Sequence, residues 1–252
     1  HDGVPGPAIG FLQEALRWWD HWLKRRDTGI MSEPVLRVWM QESVRPRPFH
    51  KQRPGRWVAE TQWPSPRITF SRYWLNPDRL SSLSTEETQI DFCSPQTTGL
   101  GAGEWCGFGA PGEAPPDQRP DDGCSLTFDS EALQQRLEIL GAPVANLEVA
   151  ADQRVAFIAV RLNDVAPDGT SARVTYGLLN LTHRNGHDHP EPLEPGKRYL
   201  VTVTMNDVAH AFPAGHKVRL ALSTCYWPIA WPAPKPVTLS LFTGKSLMNL
   251  PA

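Results

Sequence analysis

Residues 182–192 read THRNGHDHPEP, so His183, His187 and His189 fall within seven residues and Asp188 separates the last two. Imidazole is the commonest protein ligand for transition metals, and a metal site is the first chemistry this stretch suggests. Asn185-Gly186, Pro190, Pro192 and Pro195 mark it as a loop. A loop can bind metal, but His-x-His spacing suits a rigid strand better, and adventitious nickel or zinc binding is the expectation. No cofactor is expected.

Other chemistry is sparse. A nucleophile elbow needs G-x-S-x-G, because the serine sits on a strained strand-to-helix turn that only small neighbours permit. Gly123-Cys124-Ser125-Leu126-Thr127 and Gly169-Thr170-Ser171-Ala172-Arg173 both fail at the last position. Gly244-Lys245-Ser246 resembles the end of a phosphate loop, but Leu239 stands where the first glycine is needed. Asp164 and Asp168 flank the turn in NDVAPDGTS, and Asp207 lies in MNDVAH. Local hydrogen bonding is reason enough for aspartate there. His210 and His216 bracket the turn Pro213–Gly215 and read as structural histidines. Cys225 reads as a buried small hydrophobe. Tyr226, Trp227 and Trp231, interspersed with prolines, could stack on a sugar or pack a loop.

The chain of 252 residues carries a net charge of −2 with no basic run, so neither nucleic acid nor a membrane surface is an expected partner. No apolar stretch approaches a membrane span of about 18 residues. No C-x-x-C pair occurs among Cys93, Cys106, Cys124 and Cys225, which argues against a zinc ribbon and leaves their pairing open. No signal-peptide pattern is visible, which leans the expectation towards the cytoplasm.

One element near the start is helical. Ile9, Leu12, Leu16, Trp19 and Leu23 recur at three and four residues, predicting a helix from about Ala8 to Arg25. Trp18 and Trp22 widen its apolar face beyond that of a surface helix, so it should pack on two sides. After residue 34 the pattern becomes β. Val35–Met40, Ile68–Leu75 and, from Leu126 onward, a series of short apolar or alternating runs read as strands. Residues 94–123, rich in Gly and Pro, read as a long excursion that is either functional or disordered. Many short strands without intervening helices predict a mainly β jelly-roll sandwich.

Four segments, FLQEALRWWDHWLK, VRLNDVAPDGTSARVTYG, EPLEPGKRY and HAFPAGHKVRLALS, resemble the C-terminal part of the cocaine esterase and X-prolyl dipeptidyl-peptidase group of serine hydrolases. The resemblance covers nearly the whole chain and is weakest over residues 94–123. It implies a jelly roll similar to galactose-binding modules, preceded in the family by an α/β-hydrolase domain. The family's serine and acid lie upstream of the matching region. Its histidine lies in a G-x-W-x-H-like segment just before the matching helix; His1 is near that place but no G-x-W precedes it, so no catalytic residue is carried over.

The expectation that follows has two parts. Residues 1–30 are the last helix and linker of an α/β-hydrolase domain, and residues 31–252 are the jelly roll. The chain would be non-catalytic, would pack on the hydrolase domain of the same parent chain, and would help wall a pocket for a small ester or peptide substrate. Trp18, Trp22, Tyr226, Trp227 and Trp231 are the candidate pocket or interface residues. The apolar helix face should be exposed when the hydrolase domain is absent, and a homodimer could cover it. A carbohydrate-binding module using the Tyr226, Trp227 and Trp231 loop is the rival reading, and a free-standing metal enzyme using the histidine loop is a third.

Overall fold

The computed structural model describes residues 5–252; His1 lies outside them. Helix α1 (Phe11–Lys24) comes first, followed by β1 (Leu36–Glu42), β2 (Gly55–Glu60), β3 (Phe70–Asn76), β4 (Arg79–Ser81) and β5 (Gln89–Phe92). A one-turn helix, α2 (Arg119–Asp122), precedes β6 (Leu126–Asp129), β7 (Leu137–Gly141), β8 (Val144–Ala151), β9 (Phe157–Val165) and β10 (Ser171–Asn180). The remaining strands are β11 (Tyr199–Thr204), β12 (Val208–Phe212), β13 (Lys217–Ser223) and β14 (Leu239–Pro251).

The strands form two sheets. The larger runs β10-β9-β13-β6-β4-β3-β14-β8-β11, with β5 also paired to β14. Its pairings are antiparallel except for the single β4–β6 bridge. Its ends return towards each other: Asn206 N–H donates to the Tyr176 carbonyl at 3.0 Å, and Thr175 Oγ1 donates to the Asn206 carbonyl at 2.8 Å. Gly177 permits this approach, since a Cβ there would stand 2.6 Å from the Thr204 carbonyl oxygen. The smaller sheet, β2-β1-β12-β7, carries a second apolar cluster of Met40, Leu140, Ala209 and Ala211.

The period-two pattern places the core. In β11, Val201 and Val203 are buried while Leu200, Thr202 and Thr204 face outward, and register with β8 sets Val201 opposite Leu147. Phe128, Ile158, Leu162, Phe212, Leu220 and Leu222 fill the interior between the walls of the large sheet. Full burial of each such side chain is worth roughly 1.5–3 kcal/mol.

Four strands escaped the sequence reading. β12 lies in DVAHAFPAGH, which reads as a turn because of Pro213 and Gly215, yet it pairs parallel to β1 and antiparallel to β7. β2, β4 and β5 are short and bounded by Pro-rich or polar segments, so no alternation can develop in them. The excursion over residues 94–123 is ordered by specific bonds. Asp121 Oδ1 and Oδ2 accept from the amides of Gly99 and Gly101, both at 3.0 Å, and Gln118 Nε2 donates to the Gly101 carbonyl at 2.7 Å. All four cysteines are free thiols, and Cys225 is buried as expected.

Candidate functional site

Helix α1 has the reverse of the usual orientation. An amphipathic helix on a domain surface turns its apolar stripe inward. Here no helix residue is buried. Leu12, Leu16, Trp19 and Leu23 are largely exposed, as are Trp18 at 43% and Trp22 at 52%. Trp18 and Trp22 pack against each other one turn apart, with ring centroids at 5.7 Å. The polar side holds the helix to the body. Arg17 pairs with Glu14 at 3.0 Å and with Glu33 beyond the helix, and Arg37 on β1 reaches Glu33 at 3.0 Å and Glu14 at 3.5 Å. The Arg17 guanidinium holds the Glu33 carboxyl below its ordinary range. The helix closes with Arg25 in the left-handed region and backbone N–H groups returning to the Asp20 carbonyl.

A second exposed aromatic surface lies where the 94–123 excursion meets the loop after β13. Trp227 N–H donates to the Thr98 carbonyl at 2.8 Å, and Gln96 Nε2 reaches the Ala233 carbonyl at 3.4 Å. Gly99, at φ +109°, fits only because it lacks a side chain; a Cβ would stand 2.6 Å from the Trp227 carbonyl oxygen. Trp227 and Trp231 meet edge to face at 5.0 Å, and Trp231 is 81% exposed. Tyr226 is wholly buried: Arg173 Nη1 donates to its hydroxyl, Tyr176 packs at 5.6 Å, and burial pushes the phenol up. Its ring therefore supports the loop from beneath and leaves no face for a sugar. Within the excursion, Leu100, Trp105 and Phe108 are strongly exposed. Sequence reasoning passed over them because the segment has no period; a run of large apolar side chains among glycines was the available signal.

Asp168, Asp164, His210, His216, Ser125 and Ser171 are engaged in hydrogen bonds within the fold. Asp168 accepts from the Thr170 amide and pairs with Arg45, as a turn aspartate should. Asp164 is buried on β9 between two imidazoles, His210 Nε2 at 3.1 Å and His216 Nδ1 at 2.7 Å. A carboxylate only accepts, so both nitrogens must carry hydrogen. Burial pushes Asp164 up, but the hydrogen bonds from His210, Ser43 and His216 outweigh it, and the group lies below its ordinary range. Ser125 is committed to the Asp121 carbonyl and Arg161, and Ser171 to Asp122. Among the described residues no serine hydroxyl is hydrogen-bonded to a histidine. His183 and His187 come together, whereas His189 joins no cluster with them.

Residues 28–250 match the family described as the X-Pro dipeptidyl-peptidase C-terminal non-catalytic domain. The chain belongs to that family. A Mycobacterium bovis protein named "Putative serine esterase" is 29% identical over 88% of the chain, which covers 37% of that protein. The cocaine esterase of a Rhodococcus strain is 25% identical over 68% of the chain and 32% of its own length. The chain thus spans about a third of the length of the curated relatives it matches. In solved structures its fold recurs in a CocE/NonD family hydrolase from Staphylococcus aureus (TM-score 0.70, 14% identity, 97% of this chain and 46% of that one). It recurs also in an aminopeptidase from a Thaumarchaeota archaeon (TM-score 0.72, 17% identity, 96% and 44%). The same mainly β sandwich thus occurs in those structures as one part of a longer chain.

Proposed function

We propose that this domain acts as the non-catalytic C-terminal unit of a serine hydrolase that cleaves esters, amides or X-Pro peptide bonds. In this reading residues 1–30 belong to the hydrolase side, and residues 31–252 form the jelly roll that packs against it. The observation that carries the proposal is α1, anchored through charged side chains while Leu12, Leu16, Trp18, Trp19, Trp22 and Leu23 point outward. An exposed apolar face of that size marks an interaction site, and the hydrolase domain is the partner that the family supplies. Trp227, Trp231 and the excursion residues Trp105 and Phe108 are the groups proposed to reach the wall of the substrate pocket. Tyr226 serves as their support.

The parent reaction would be nucleophilic acyl transfer through serine, histidine and an oxyanion hole, all contributed from outside this domain. Labelling with a fluorophosphonate, which acylates activated serines, tests the reading on this chain beside its full-length parent. Strong label on the parent and none on the domain is the expected result. Stoichiometric label on the domain would overturn the assignment.

A further inference from the structure

We propose that His183 and His187 form a two-imidazole binding site for a divalent transition cation of the zinc and nickel type. The proposal is independent of the hydrolase reading. The two Nδ1 atoms face each other at 3.1 Å, with ring centroids 5.2 Å apart. Metal–imidazole bonds are about 2.0–2.1 Å. Two nitrogens on one ion therefore stand about 2.9 Å apart at a right angle and about 3.3 Å apart at the tetrahedral angle. The observed separation falls between these limits. An ion at that bond length sits about 1.3 Å to the side of the line joining the two nitrogens, so binding replaces the bridging proton and turns both rings towards the ion.

The loop is built to hold this geometry. Asn180 Oδ1 accepts from the Thr182 amide and hydroxyl, which starts a short 3-10 turn over Leu181–His183 on buried Leu181. The Gly186 amide then donates to the His183 carbonyl at 3.0 Å, and that turn folds His187 back over His183. Arg184 bolts the turn down: Nη1 donates to the carbonyls of Leu181 and Glu191, and its guanidinium lies 4.5 Å from the Tyr199 ring. Glu191 accepts from Arg184 Nη2 at 3.1 Å and from Asn185 Nδ2 at 2.8 Å, and its amide closes the loop on the Thr182 carbonyl at 2.7 Å. The Arg184 guanidinium is thus paired with a carboxylate, and Asp188 adds a negative charge beside His187 in the sequence. Imidazole donors suit zinc, nickel and copper. Among the described residues no third protein ligand joins the pair, so water completes the coordination.

The test uses the untagged full chain with its thiols alkylated, because exposed Cys93 and Cys106 would compete for metal. Calorimetric titration with Ni²⁺ should show one equivalent bound. Changes outside the ligand set cost about 10–100-fold in metal affinity. His183→Ala and His187→Ala should each therefore weaken binding by about tenfold or more, while His189→Ala leaves it within about twofold. Imidazole ¹⁵N spectra with Zn²⁺ should shift Nδ1 of His183 and His187 together. Nickel binding that survives the double substitution, or that depends on His189 instead, would overturn the site. So would titration with no saturable binding.

Discussion

Removing the carboxylate at residue 164 probes the joint between the two sheets. Asp164 lies on β9 of the large sheet, His210 on β12 of the small one, and His216 in the connection to β13. A hydrogen bond to a charged group contributes about 1.5–3 kcal/mol, which puts an upper bound of about 6 kcal/mol on the two imidazole bonds together. Two effects reduce the net loss in Asp164→Ala. The charge no longer has to be desolvated, and His216, with 17% of its side chain exposed, can bond to water. His210, at 4%, is left with a buried unpaired N–H, which costs about 1–3 kcal/mol. The expected loss is about 2–4 kcal/mol at pH 7, or a fall in Tm of roughly 5–15 °C for a chain of this size. Asp164→Asn, which keeps one acceptor, should lose about half as much. The sign with pH follows from the depressed carboxyl. Its contribution is complete above the unfolded value of about 3.9 and is lost as pH falls through the lower folded value. The gap between wild type and Asp164→Ala in guanidinium unfolding should therefore narrow between pH 5 and pH 3. A loss under about 1 kcal/mol at pH 7, or a gap of constant size down to pH 3, would refute the reasoning.

Glu138 accepts from Arg56 at 2.6 Å and from Arg136 at 2.7 Å; these bonds hold its carboxyl at about 2, so its stabilisation is present above about 4.5 and fades as pH drops towards 2. The side chain is partly solvated, so Glu138→Gln should cost only about 1 kcal/mol in urea unfolding at low salt, and less in 1 M NaCl because surface pairs are screened. Gly99→Ala should destabilise by roughly 1–3 kcal/mol, the range for strained backbone, and should shift Trp emission, since the new methyl meets the Trp227 carbonyl. The double change Trp18→Ser and Trp22→Ser should leave the unfolding midpoint nearly unchanged while reducing binding of a hydrophobic dye. An unchanged dye signal would move the exposed patch elsewhere. Phe128→Ala, at a wholly buried position, should cost about 3–5 kcal/mol by calorimetry.

Long alternating strands were legible in the sequence. Val201 and Val203, or Val218, Leu220 and Leu222, point into the core as a period of two requires. So was α1, whose periodicity depends only on local spacing; its limits are Phe11–Lys24, with Gly10 as N-cap and Arg25 in the left-handed region after the last turn. β12 was hidden because its pairing with β1 and β7 is non-local, while its own residues carry a turn signature. The pairing of Asp164 with His210 and His216 was equally invisible, since 46 and 52 residues separate the partners. The histidine loop shows the limit of spacing rules. Spacing singled out His183, His187 and His189 together, whereas a turn at Gly186 brings His183 to His187 and His189 joins no cluster with them.

The mooring of the excursion separates two demands on one segment. Asp121 and Gln118 grip the backbone at Gly99 and Gly101, and the Gly112 and Ala114 amides hold the return path at the Pro48 carbonyl. Every one of these contacts is made to main chain at the tip's two roots, so the side chains from Glu104 to Phe108 have no part in them. Because loop closure cost grows only logarithmically with length, the tip can be lengthened, shortened or rewritten at small thermodynamic expense. The scaffold therefore leaves this span open to new sequence, and an engineer seeking to graft a recognition loop has a ready-made socket.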